Sequence, residues 1–159
     1  VGQFVRAQDL IRIADGLVSS GNGKPKQASL RRTVSTTYYA LFHTLARCCA
    51  DTLIGSQSAD RSAPAWRQVY RSLEHGHAKS QCRSAMINKF PSEIIQFATI
   101  FATMQVKRHE ADYDPFAKFT KSSVMVDIKQ AKVAIAAFNG TAIKHRRAFA
   151  AFVLFRSRS

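Results

Sequence analysis

Val34-Ser-Thr-Thr-Tyr-Tyr-Ala-Leu-Phe-His43 is the stretch whose reading decides the fold. Val34, Tyr38, Leu41 and Leu45 recur at helical spacing, so they line one face of an α-helix. Leu30 extends that face towards the N-terminus, and Cys48 or Cys49 extends it the other way. The pattern predicts one long helix from about Lys26 to Leu53, entered through Pro25. Tyr39 and His43 are also four residues apart and share a second face of the same helix.

Outward from this helix the same periodicity repeats. Phe4, Ala7, Leu10, Ile11, Ala14, Leu17 and Val18 predict a first helix closed by Gly21 and Gly23. Gly55 to Pro64 reads as a polar loop, and Trp66, Val69, Tyr70 and Leu73 suggest a short helix after it. His75 to Pro91 is open to two readings, a short helix over Ala78–Ile87 or an ordered loop. Ile94, Phe97, Ala98, Phe101 and Met104 mark a long helix from Pro91 or Ser92 to Tyr113, stopped by Asp114-Pro115. After a turn at Phe116–Lys121, Val124, Ile128, Ala131, Ile135 and Phe138 mark another, ended by Asn139-Gly140. A last helix runs from Thr141 to about Phe155. The chain reads as one all-α domain over residues 1–159, an antiparallel four-to-five-helix up-and-down bundle with short extra helices.

Composition narrows the partners. The formal net charge is +14, which points to an anionic partner such as nucleic acid. Two basic clusters are candidates for phosphate neutralisation. Lys24, Lys26, Arg31 and Arg32 form one, and Lys144, Arg146, Arg147, Arg156 and Arg158 the other. No aromatic is interleaved with the first, and those beside the second lie in an apolar run, so base stacking is not expected. Each basic residue has the alternative of a solvated helix end.

The three cysteines, Cys48, Cys49 and Cys82, do not form a disulfide framework and suggest a reducing cytoplasm. Val1–Arg6 lacks the layout of a signal peptide. The apolar run Ala148–Phe155 is far short of the roughly 20 residues a bilayer needs, so no membrane association is expected. His75, His77 and Cys82 lack a fourth ligand for a structural zinc, so neither metal nor cofactor is expected.

A second stretch, Lys107-Arg-His-Glu-Ala-Asp-Tyr-Asp-Pro115, stands out beside the first. Together they resemble the prokaryotic HEPN family, with its Tyr-Tyr-Ala-x-Phe-His on one helix and Arg-x2-Ala-Asp-Tyr at the end of another. The resemblance covers roughly Leu30 to Phe138. Read as residues, Arg108 and Asp112 form an i, i+4 ion pair, and His109 and Tyr113 a second pair beside it. With Tyr39 and His43 they suggest one interhelical polar network, which either fixes helix register or contacts a ligand or RNA.

The resemblance implies an RNA-binding protein of a toxin–antitoxin or defence-type system, and a homodimer. It leaves three alternatives open: a metal-independent endoribonuclease, a catalytically inert partner for a small nucleotidyltransferase, or a nucleotide-binding sensor. Family ribonucleases carry Arg-x4–6-His, usually paired across a dimer. Histidine moves the proton of the attacking 2′-OH while arginine holds the phosphate. One stretch matches, Arg71-Ser-Leu-Glu-His-Gly-His77, making Arg71 and His77 the candidate catalytic pair. So loose a pattern is expected about once by chance in a chain this rich in arginine. It also lies between the two family-like stretches, whereas the family's motif sits on a late helix.

Overall fold

A computed structural model describes residues 5–19 and 23–158; the Phe4 and Gly21 readings fall outside them. Among the described residues seven α-helices form: α1 (Ala7–Ser19), α2 (Gln27–Leu53), α3 (Ala63–Arg71), α4 (His75–Arg83), α5 (Ser92–Tyr113), α6 (Lys121–Asn139) and α7 (Ile143–Leu154). There is no strand among the described residues. The expected all-α bundle is observed. The ambiguous segment after His75 is α4 followed by a 3-10 turn over Ala85–Lys89, which Ser84 starts by accepting from the Met86 N–H.

Side-chain pairings fix the directions. Arg31 and Ser35 near the start of α2 meet the end of α5, while Tyr38 meets Phe101 further back, so α2 and α5 are antiparallel. Phe97 packs on Phe138, and Lys107 pairs with Asp127, so α5 and α6 are antiparallel too. Residues at the start of α1 share a cleft with the ends of α2 and α6. The four long helices therefore alternate up and down, with α7 packed against α2 and α4.

α2 is the axis of the molecule, touching α1, α3, α5, α6 and α7. Its burial extends well beyond the apolar stripe. Thr33, Thr37, Thr44 and Thr52 are all buried. Each hydroxyl donates to the carbonyl four residues earlier, at 2.8, 2.8, 2.8 and 2.6 Å, so a polar face enters the core without orphaned groups. Around it Tyr38, Phe97, Phe101, Phe138 and Phe149 are fully buried, and the Phe97 and Phe138 rings stack at 4.3 Å.

The connection from α5 to α6 is held by the start of α2. The Arg31 guanidinium donates to the carbonyls of Ala111 at 3.0 Å, Asp114 at 2.7 Å, Pro115 at 3.3 Å, and Ala117. Gln27 and Phe119 exchange two bonds: the Gln27 amide donates at 2.8 Å and accepts from the Phe119 N–H at 3.0 Å. A cation among the last carbonyls of α5 also satisfies groups the helix leaves unpaired and opposes its dipole. Arg31→Ala removes this clamp and is expected to cost about 2–3 kcal/mol, read as a lower urea midpoint.

Candidate functional site

The two family-like stretches do meet, with Tyr38 rather than Tyr39 at the centre. Tyr38 is fully buried, and its hydroxyl shares a 2.5 Å hydrogen bond with His75 Nδ1 on α4. The Arg108 guanidinium from α5 lies 5.2 Å from the Tyr38 ring and 5.9 Å from the Tyr39 ring. Asp112 holds Arg108 from one turn further on, at 3.6 Å. The Arg108 side chain is 10% exposed, so it sits inside the cluster rather than on it. On the next turn of α2, His43 Nδ1 and the Tyr70 hydroxyl of α3 share a 2.5 Å bond. Phe42 fills the space between, stacked on His75 at 4.1 Å.

The fold brings Tyr39, His43, Arg108 and Asp112 together, joined by Tyr38, Tyr70 and His75. His109 and Tyr113 are not part of this cluster. They pair with each other, rings 4.9 Å apart, on the exposed side of α5. The separation follows from the helix: each is one residue past Arg108 or Asp112 and so turned about 100° away. Tyr70 and His75 were missed because Tyr70 reads only as part of a short helix and His75 opens the ambiguous segment.

Burial sets the ionisation of the cluster. It lowers the pKa of His43; His75 is lowered by burial, then by the positive charge of Arg108 and by His43. Burial raises Tyr70, with Arg47 opposing; it also raises Tyr38, and there Arg108 is the chief opposing charge. Near neutral pH the cluster therefore pairs neutral imidazoles with protonated phenols.

Arg71 and His77 lie on successive helices, α3 and α4. Arg71 is exposed in the last turn of α3. His77 is half-buried on α4, and its Nε2 is sealed from solvent without a hydrogen bond. That nitrogen is not open to a phosphate held by Arg71.

The basic clusters also divide. Arg31 is the loop clamp described above. Arg146 Nε donates to the Thr141 carbonyl and Arg147 Nε to that of Thr52, each at 2.9 Å, so both close backbone ends. Lys24, Lys26 and Arg32 stay exposed around the start of α2, where no acidic residue occupies the first turn. The chain fold adds Lys118 and Lys121, also exposed, from the clamped loop and the start of α6.

A cleft of 610 Å³ between α1, α2, α6 and α7 is lined in part by Arg6, His43, Arg47, Asp51 and Arg146. Asp51, which the sequence did not single out, is its hub. It accepts from Trp66 Nε1 at 2.8 Å and from Arg61 and Arg47 at 3.2 and 3.3 Å. These bonds staple the end of α2 to α3 and its preceding loop, and the carboxylate offsets the arginines around it.

Cys48, Cys49 and Cys82 are buried, and burial pushes Cys48 and Cys82 up to about 12, so they remain thiols. Among the described residues no three His, Cys, Asp or Glu side chains converge as a metal site, and no helix is long and apolar enough to cross a membrane. No family model matches the chain, and neither the curated proteins nor the solved structures yield a match.

The two lowered histidines set a pH dependence. A group depressed in the fold takes up its proton more readily when unfolded, so its stabilising contribution is present above the unfolded pKa and lost below it. Taking 6.5 as the unfolded reference for His43 and His75, stability is expected to hold above about that pH and to fall on acidification through the lower folded values. The urea midpoint should drop from pH 7 to 5, and the double variant His43→Gln/His75→Gln should flatten that drop.

Proposed function

We propose that this chain is an RNA-binding protein of the HEPN class, of the kind found in toxin–antitoxin and defence systems, and that it binds RNA without cleaving it. The observation that carries the reading is uncompensated positive charge. Lys and Arg number 24 against 10 Asp and Glu. Of those acids, Asp9, Asp15, Asp51, Glu74, Asp112 and Asp127 are already in ion pairs within the fold. The surplus is left for an outside polyanion.

Binding rather than cleavage is favoured by where the arginines and histidines lie. Arg108, beside neutral His75, is buried and held by Asp112. Arg71 is exposed, while His77 Nε2 is sealed inside. Metal-free transphosphorylation needs a guanidinium and an imidazole nitrogen open to the same phosphate. Fluorescence anisotropy should show single-stranded RNA bound with log K falling against log salt at about −3.5 for roughly five neutralised phosphates. In the same samples with EDTA, the RNA should stay full length. Cleavage that disappears in His77→Ala or His43→Ala would replace this reading with the ribonuclease one.

A second reading, an inert partner module, is favoured by α6. Val126 and Val133 lie seven residues apart on one face of it and are 53% and 51% exposed, with Met125 beside them. Such a patch suits a second copy of the chain or a nucleotidyltransferase-type partner.

A further inference from the structure

We infer that the end of the bundle where α2 begins and α5 turns into α6 is a stacking platform for the bases of single-stranded RNA, with Phe116 and Tyr113 as the stacking rings. This rests on the RNA-binding reading above and names the surface that serves it. Phe116 is 88% exposed and Tyr113 is 67% exposed, more than any other large apolar side chain among the described residues. In sequence these rings lie far from the first basic cluster. The fold joins them, because Arg31 donates to the carbonyls on both sides of Phe116.

Three features favour nucleic acid over an apolar partner. Arg32 and Tyr113 line the same groove, of 500 Å³, between α2 and α5. Lys118 and Lys121 follow Phe116 in the chain and are exposed. Of the nearby acids, Asp112 pairs with Arg108 and, at 3.5 Å, Ser35, and Asp114 accepts from the Phe116 N–H at 2.9 Å, while Glu110, one turn before Tyr113, is exposed. Flat rings beside cations match a strand that offers bases on one side and phosphates on the other, and stacking needs no particular sequence.

The loop is also preset. Arg31, the Gln27–Phe119 exchange and the Asp114 cap hold its backbone before any ligand arrives, so little ordering cost accompanies binding.

The test uses full-length protein and a labelled single-stranded RNA 12-mer, with an abasic strand of the same length as control. Tyr113→Ala/Phe116→Ala should weaken RNA binding about tenfold to a hundredfold, leaving abasic-strand binding and the salt slope unchanged. Arg32→Ala/Lys118→Ala/Lys121→Ala should reduce the salt slope by about 2 on both strands. Phe116→Trp should retain affinity, and its added fluorescence should be quenched by RNA but not by the abasic strand. If wild type binds RNA and both aromatic variants behave like it, without quenching, the platform is overturned and the RNA-binding reading stands. An aromatic variant that loses only self-association overturns it equally. If wild type binds no RNA at low salt, both fall together.

Discussion

Arg108 is buried between α2 and α5, and one register of the two helices sets its guanidinium against the rings of Tyr38 and Tyr39. The faces of Tyr38 and Tyr39 come from α2, and the carboxylate of Asp112 from one turn further along α5. A slip of one turn between the helices would take the two tyrosine rings away from Arg108 and leave it only Asp112, which belongs to its own helix. This constraint propagates. With Tyr38 opposite Arg108, Arg31 lies two turns earlier on α2 and reaches the last carbonyls of α5. The loop after α5 is then fixed from the same helix, and with it the outward position of Phe116.

The molecule consequently separates two tasks that its sequence places side by side. Tyr38, Tyr39, His43, His75 and Arg108 knit helices together, buried or half-buried and with neutral imidazoles, and Asp112 holds Arg108 from the rim. His109 and Tyr113, one residue further along α5, face water. The same few turns of helix supply an internal lock and an external surface because neighbouring residues point about 100° apart.

The order and extent of the long helices were legible from apolar spacing and from Pro, Gly and Asn-Gly signals, which act locally, whereas α4 was left open. α5 ends at Tyr113 before Asp114-Pro115, as those residues require. The buried threonine face of α2 was not legible, since a hydroxyl bonded to its own helix looks polar in a sequence. Nor was the role of Arg31. Charge alone does not say where a guanidinium ends, and its partners lie 80 to 86 positions away. The first basic cluster has no aromatic near it in the chain, so stacking was not expected there. Only the antiparallel return of α5 brings Phe116 and Tyr113 beside it. For the cluster, the residues of α2 and α5 could be named from their spacing, whereas Tyr70 and His75 depend on how the irregular middle of the chain folds back.

The central claim is that Arg108 is a lock between helices and that RNA is met elsewhere. Arg108→Met keeps an unbranched, apolar stem and removes the charge, so it asks the question directly. Its affinity for single-stranded RNA should be measured where circular dichroism shows the variant folded. The account predicts an affinity within about twofold of wild type and an unchanged salt slope, since the lost cation touches no phosphate. A folded Arg108→Met protein that has lost tenfold or more in RNA affinity would contradict it.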